Sequence, residues 1–201
     1  MDEWVVATGD YADNVDLIKV VTDAGYECFW SLCDENDVLT RYVKVAKRMG
    51  ADVIVRITGD CPLIHPEIID QVVGHLGPHD IVSNVFSRSH PKGYDTEVLY
   101  RDVLDRIDRL AVLERYREHV TLFAYDQHQL FLTSNVSTEE DDSEIRLCVD
   151  YAEDLAFIRK VYESIQDDIL PWRDEIALVR GLYEQETDGV PGVSGFNPWR
   201  A

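Results

Sequence analysis

The stretch DVIVRITGDCPLIHPEIID, residues 52–70, decides the fold expected for this chain. Residues 53–57 form an apolar, β-branched run interrupted only by Arg56, and the letters TGD that end at Asp60 break this run before a helical pattern. A strand therefore delivers Asp60 to its carboxyl end, the edge at which open α/β sheets bind ligands. An acid after glycine is also ordinary turn chemistry, so this stretch leaves two interpretations of Asp60 open, a turn residue or a site residue.

The same alternation of strand and helix patterns extends along the chain. Strands are predicted at residues 3–8, 27–31, 53–57, 80–85, 97–100, 130–136 and 145–149. Helices are predicted at residues 14–24, 37–49, 68–76, 101–113, 114–126, 151–165 and 173–184. This order indicates a single α/β domain over residues 1–201, with a parallel sheet covered by helices on both faces, a core at 4–165 and a C-terminal helix and tail at 166–201. Phe196 and Trp199 predict that the tail docks on the body or on another subunit.

The charge balance narrows the possible partners. The chain carries 39 acidic and 19 basic residues, for a net charge of −20. Such a charge disfavours binding to nucleic acid or to an anionic membrane, so a phosphate-bearing ligand would need a metal ion or a few well-placed cations. The sequence shows neither a run of about 18 apolar residues nor a signal-peptide pattern, which favours a cytoplasmic protein.

The cysteines predict no metal or disulfide framework. Cys28, Cys33, Cys61 and Cys148 include no CxxC pair and no histidine at zinc-finger spacing, so ordinary reduced thiols are expected. Cys61 follows Asp60 directly, and a small tolerated residue is favoured there over a nucleophile because no partner base is apparent.

Asp150 occupies a position equivalent to that of Asp60, since each follows a predicted strand. Both side chains can converge above one sheet edge, and two carboxylates that meet there are the usual protein share of a Mg²⁺ site. Asp150 also fits a helix N-cap, with Glu153 as its capping-box partner and a stabilisation of about 1 kcal/mol. Spacing alone favours the cap.

Seven segments carry a family resemblance. They read VVATGD at 5–10, DVLTRYVKVAK at 37–47, VIVRITGDCPLIHPEIID at 53–70, IVSNV at 81–85, GYDTEV at 93–98, YREHVT at 116–121 and RLCVDYAEDLAFIRKVYE at 146–163. In this order they resemble the sugar cytidylyltransferases related to the spore-coat polysaccharide protein SpsF and, more distantly, the CMP-sialate and CMP-KDO synthetases.

The resemblance implies a fold, an activity and a site. The fold is the three-layer α/β/α sandwich of the nucleotide-diphospho-sugar transferases, with a mostly parallel sheet. The activity is attack of a sugar, which we expect to be acidic, on CTP to give a CMP- or CDP-sugar and pyrophosphate, and a homodimer is the expected assembly. The implied residues are Asp60 and Asp150 as Mg²⁺ ligands and catalytic residues, Arg56 as a further catalytic residue, Asp95, Glu97, Arg117 and His119 on the sugar side, and Thr8 and Asp10 on the nucleotide side.

Two of these residues have structural alternatives. Arg56 lies in an otherwise apolar strand and is also explained as the ion-pair partner of a nearby acid. His119 lies in a predicted helix, where an ordinary helical histidine is favoured over a ligand-facing group.

The chain departs from the family pattern at its start. Family members begin with a strand and a loop of the type QARxxSxRLPGK, which supplies Arg and Lys to the nucleotide, and this sequence starts at what resembles the second strand. Without the first strand, the neighbouring strands at 3–8 and 53–58 should either keep unpaired edges or close up against each other.

Three functions remain open from the sequence. The first is the cytidylyltransferase, whose activity as this chain alone is in question without the loop. The second is an inactive relative that binds a sugar or a partner protein. The third is a metal-dependent glycosyltransferase of related fold, which the matching motifs favour least.

The composition predicts a response to salt. Arg (14) outnumbers Lys (5) and Asp (24) outnumbers Glu (15), a surface bias that suits a halophilic source. We expect the midpoint of thermal unfolding to rise between dilute buffer and molar KCl, because salt screens the repulsion among acids. A midpoint that is independent of KCl in a calorimetric scan would contradict this expectation.

Overall fold

The fold is described from a computed structural model, in which residues 3–165 and 169–187 are described, with side chains to residue 183. The predicted irregular tail, with Phe196 and Trp199, lies outside the described residues. In chain order the elements are β1 (Val5–Thr8), α1 (Val15–Asp23), β2 (Glu27–Trp30), α2 (Val38–Met49), β3 (Val53–Arg56), α3 (Pro66–Gly74), β4 (Ile81–Ser83), β5 (Glu97–Tyr100), α4 (Arg101–Leu110), α5 (Glu114–Glu118), α6 (Leu122–Asp126), β6 (Thr133–Asn135), α7 (Ala152–Ile165) and α8 (Trp172–Thr187).

Strand and helix alternate at the start of the chain as the apolar patterns predict, and the α/β class is confirmed. The strands form two hydrogen-bonded sheets. One has the order β1-β2 with parallel pairing, and the other has the order β3-β5-β4-β6. Within the described part of the chain β1 and β3 are not neighbours in either sheet, so of the two expected outcomes the structure has the open edges and not the closure.

The chain divides into two compact units. The first comprises the chain up to Ile54, with His79–Ile81 and Leu99–Thr133, and the second comprises Val55–Pro78, Val82–Val98 and the chain from Ser134 onward.

In the first unit, α2 packs on α4 and α5. The carboxylate of Asp37 accepts a hydrogen bond from the Thr40 amide at 3.1 Å and caps the start of α2, and Gly50, with a φ of 64°, ends it. Leu39 and Ile107 are fully buried on these helices, whereas α1 has no buried residue. The centre of this unit is therefore helical.

The second unit has one continuous apolar core, with α7 packed on α8. Its buried members are Leu63, Ile68, Tyr94, Ile145, Leu147, Phe157, Ile158, Val161, Trp172, Ile176 and Val179. This core anchors the segment before α7, which leads to Asp150.

Two predicted elements differ in the structure. The helix predicted over residues 114–126 is divided into α5 and α6, because Val120 adopts a φ of 53°, which a right-handed α-helix does not contain. The strand predicted over residues 145–149 forms only an isolated parallel bridge between Lys92 and Arg146. Its partner is a loop, which offers too short an extended stretch for a ladder.

In the described residues, no helix combines the length and the apolar character that are needed to cross a bilayer.

Gly93 is where the loop after β4 crosses the segment leading to α7. The Lys92 amide donates to the Ile145 carbonyl oxygen at 2.9 Å, and the Leu147 amide donates to the Lys92 carbonyl oxygen at 2.7 Å. Gly93 has a φ of 106°, and a Cβ there would lie 2.8 Å from the backbone of Leu147. Only glycine fits this crossing without displacing the backbone.

We therefore expect Gly93→Ala to lower the free energy of unfolding by about 3 kcal/mol, combining a strained φ with backbone overlap. The matched control is Gly50→Ala, which has a φ of 64° and open space around its Cβ, and should lose only about 1 kcal/mol. Urea denaturation followed by circular dichroism measures both. Equal losses in the two variants would contradict the role assigned to the crossing.

Candidate functional site

Asp60 lies in the turn that follows β3. The Cys61 amide donates to the Thr58 carbonyl oxygen at 3.2 Å, which closes the turn, and Asp60 is exposed. The Asp60 carbonyl oxygen accepts a hydrogen bond from the Val149 amide at 2.8 Å. The turn is thereby fixed to the residue that immediately precedes Asp150.

Asp150 is not the cap of α7, and the prediction that it is was wrong. The buried carboxylate of Asp154 accepts hydrogen bonds from the amides of Asp150 at 2.8 Å and Tyr151 at 3.0 Å. An acid in the first turn of α7 therefore pairs with the backbone N–H groups just before the helix. The Asp150 carboxylate instead forms an ion pair with Arg146 and is 48% exposed. Arg146 also contacts Asp154 at 3.2 Å.

Asp60 and Asp150 are thus carried by adjacent chain segments of the second unit. Both carboxylates are accessible, and carboxylate oxygens are the donors that Mg²⁺ takes from proteins, with water and phosphate oxygens completing its octahedron. Binding of Mg²⁺ by these two acids stays a prediction. The ion pair with Arg146 would have to be shared or exchanged when Asp150 binds a cation.

Two cysteines lie beside Asp60, which the sequence did not predict. The Sγ atoms of Cys61 and Cys148 are 3.9 Å apart, and Cys61 Sγ is 3.6 Å from Asp60 Oδ1. The hydrogen bond between the thiols and burial raise the pKa of Cys61, and the same hydrogen bond lowers the pKa of Cys148. These cysteines are 87 residues apart, and the only signal in the sequence is that each lies within two residues of a candidate acid.

Arg56 and Glu97 are brought together as a buried ion pair, with 17% and 3% of the side chains exposed. The ion-pair interpretation of Arg56 is confirmed. Asp95 is held by Arg88 through two hydrogen bonds of 2.5 and 2.7 Å and also accepts the Gly93 amide at 3.3 Å. These acids therefore have structural partners in the second unit.

Thr8, Asp10 and His119 lie in the first unit. The buried Thr8 hydroxyl donates to Asn14 Oδ1 at 2.8 Å, and the Asp10 carboxylate accepts the Ala12 amide at 3.0 Å, so both order the turn between β1 and α1. His119 is exposed at the end of α5.

Arg117 is the hub of a polar network in the first unit. Its guanidinium donates to the carboxylates of Asp37 at 2.9 Å and Asp108 at 2.8 Å, and to the Thr40 hydroxyl at 2.6 Å. The guanidinium also donates hydrogen bonds to the backbone carbonyl oxygens of Asp108 at 3.2 Å and Ala111 at 3.4 Å, and to the second carboxylate oxygen of Asp37 at 3.3 Å. Every one of its five N–H donors has an acceptor, which indicates a structural role joining α2, α4 and α5.

The charge of Arg117 also affects Asp37. Burial opposes ionisation of the Asp37 carboxyl, but hydrogen bonds from Thr40 and Arg117 outweigh it and hold its pKa below the ordinary value.

The order of helices and strands and the positions of the two acids indicate the class of protein. This is an α/β protein in which one acid follows β3 and another precedes α7, and ligands of such folds bind outside the carboxyl ends of strands. A cytidylyltransferase family profile matches residues 1–186, and the chain belongs to this family.

Individual relatives agree with this assignment. The chain is 30% identical over 167 residues to the spore coat polysaccharide biosynthesis protein SpsF of Bacillus subtilis, covering 81% of this chain and 68% of that protein. The structure of a cytidylyltransferase from Leptospira borgpetersenii is similar with a TM-score of 0.82 and 25% identity, over 96% of this chain and 80% of the other. A CMP-2-keto-3-deoxy-manno-octonic acid synthetase, whose structure contains CTP, shares the fold with a TM-score of 0.59 and 15% identity, over 82% of each chain. The implied cytidylyltransferase fold is confirmed.

We expect Arg117→Lys to lower the free energy of unfolding by about 1–3 kcal/mol at neutral pH, because lysine cannot satisfy acceptors arranged around a planar fork. The loss should shrink as the pH falls through the lowered pKa of Asp37, since the stability that a depressed carboxyl contributes is present above its unfolded pKa and vanishes on protonation.

The control is Arg115→Lys. The Arg115 side chain pairs with Asp126 and is 58% exposed, so this variant should unfold close to the unsubstituted chain. Thermal unfolding between pH 3 and pH 7 measures both variants. A normal stability for Arg117→Lys at pH 7 would refute the structural role.

Proposed function

We propose that this protein activates a sugar with CTP, releasing pyrophosphate and forming a CMP- or CDP-sugar. The observation that carries the proposal is membership of the cytidylyltransferase family over residues 1–186, with Asp60 and Asp150 on adjacent chain segments. The relatives supply the substrate class, because SpsF is named for polysaccharide biosynthesis and the octonic acid synthetase was solved with CTP. An acidic sugar is therefore our choice of acceptor.

The chemistry is a displacement at phosphorus. An oxygen of the sugar, from a hydroxyl or a phosphate group, forms a bond to the α-phosphorus of CTP, the bond from that phosphorus to the bridging oxygen breaks, and pyrophosphate leaves with its electron pair. A hydroxyl acceptor also releases its proton to solvent or to a base.

In this proposal Asp60 and Asp150 hold Mg²⁺, which supplies positive charge for the triphosphate and for the leaving pyrophosphate. The two carboxylates bind and orient the ion at the surface of the second unit. This role is demanding in a chain with a net charge of −20, because the nucleotide must approach against the charge of the protein.

Arg56 has a positioning role in the proposal. It continues β3 towards the turn of Asp60, and its buried partner Glu97 opens β5. The pair fixes the end of β3, from which the turn projects, and Asp95 with Arg88 orders the loop that precedes β5.

The proposed assembly is a homodimer. Its support is the exposure of large apolar side chains in the first unit, among them Trp4 at 53%, Val20 at 67% and Leu32 at 72%.

The test is pyrophosphate release from CTP by the purified 201-residue chain, with Mg²⁺ and a panel of acidic sugars. We expect turnover that is lost on chelation, restored by Mg²⁺, and reduced about 100-fold or more in Asp60→Asn and in Asp150→Asn, because each removes a charged ligand of the ion. The control is Asp70→Asn, an exposed acid on α3 that should keep full activity.

Full activity in Asp60→Asn would remove the metal role from that residue. If the chain binds the sugar but neither binds CTP nor releases pyrophosphate, it is an inactive relative. Transfer from a nucleotide sugar without use of CTP would assign the glycosyltransferase activity instead.

A further inference from the structure

The group formed by Asp60, Cys61 and Cys148 contains three donor atoms at short range. One carboxylate oxygen of Asp60 and the two Sγ atoms all lie within 4.8 Å of one another. The Sγ atoms are 3.9 Å apart, and Cys61 Sγ lies 3.6 Å from Asp60 Oδ1. All three residues belong to the second unit.

Two of the three separations, between the Sγ atoms and between Cys61 Sγ and Asp60 Oδ1, agree with those around a tetrahedral zinc ion. With Zn–S bonds of about 2.3 Å and a Zn–O bond of about 2.0 Å, tetrahedral angles place two sulfurs about 3.8 Å apart and a sulfur about 3.5 Å from an oxygen. The separations in the structure differ from these by only tenths of an ångström. A disulfide would instead require the sulfurs to approach to about 2.0 Å.

The surroundings also suit a bound cation. The hydroxyl of Thr58 lies 3.1 Å from Cys61 Sγ, where it can donate to a metal-bound thiolate and fix its orientation. The backbone hydrogen bond from Val149 to Asp60 holds the two ligand-bearing segments together. Cys61 is buried, Cys148 is half-buried and Asp60 is exposed, so an ion can enter from the Asp60 side and keep a position for water.

The donor set selects the kind of ion. Two thiolates are soft ligands that favour Zn²⁺ and similar thiophilic ions, whereas Mg²⁺ takes oxygen ligands. We propose that Cys61, Cys148 and Asp60 form a binding site for one thiophilic divalent cation, such as Zn²⁺, with a fourth position open to solvent. On the proposed function, this ion competes with Mg²⁺ for Asp60 and inhibits turnover, a consequence that rests on that function while the site itself does not.

The test is a titration of the reduced, metal-free chain with Co²⁺, which reports its ligands through its absorption spectrum. We expect one ion per chain, with a sulfur-to-cobalt charge-transfer band in the near ultraviolet and the intense visible bands of a tetrahedral site, both abolished by Zn²⁺. Cys61→Ser and Cys148→Ser should each weaken the affinity at least 10-fold and diminish the charge-transfer band. Asp60→Asn should weaken binding while the sulfur band persists.

The matched controls are Cys28→Ser and Cys33→Ser, which make the same change in the first unit and should keep both affinity and spectrum. Circular dichroism establishes that each variant is folded before it is titrated. A titration without a sulfur band, or equal losses in the controls, overturns the site.

A second result would also overturn it. If mild oxidation of the chain removes two thiols without any binding of Co²⁺ by the reduced form, the pair is a disulfide-forming pair instead. None of these measurements uses CTP, so failure of the metal site and failure of the cytidylyltransferase proposal are distinguishable.

Discussion

The backbone hydrogen bond from the Val149 amide to the Asp60 carbonyl oxygen is the contact on which the candidate site depends. It joins the turn after β3 to the segment that leads into α7, and it therefore brings together residues that are almost ninety positions apart in the chain. The same segment is also held by the crossing at Gly93 and by Ile145 and Leu147, which belong to the core of the second unit. A hydrogen bond between two backbones constrains the positions of their side chains without limiting which side chains they carry.

Arginine side chains form ion pairs with many of the partly buried acids in this acidic chain. Arg56, Arg88 and Arg117 are each paired with acids, and Arg117 uses its full set of donors. Planar guanidinium groups can satisfy several acceptors at once, which is how a chain with few cations stabilises a large number of partly buried carboxylates. A cation that is engaged in this way has less capacity for an anionic ligand, which increases the importance of a metal ion at Asp60 and Asp150 in the proposed function.

Sequence patterns predicted a helix or strand correctly where residue preference and the residues at its ends determine it. The helix predicted over residues 37–49 is realised as α2, with Asp37 as its N-cap and Gly50 after its end. The helix expected over residues 114–126 is interrupted at the buried Val120, whose φ of 53° is one that a β-branched residue rarely adopts, so residue preference did not predict the break. Asp150 has the spacing of a cap, yet its carboxylate pairs with Arg146, and the carboxylate of Asp154 accepts the amides of Asp150 and Tyr151 at the start of α7.

By itself, the sequence determined the α/β class and the cytidylyltransferase family, because strand ends, helix periodicity and ordered motifs are all present along the chain. Only the tertiary structure decided that Cys61 and Cys148 lie 3.9 Å apart beside Asp60, and that Arg117 faces Asp37 and Asp108. The physical reason is the range of the interactions. Helix and strand propensity and capping act over a few residues. A ligand set or a buried ion network is assembled by backbone contacts between segments that are distant in the chain, and the spacing of residues in the sequence does not predict such contacts.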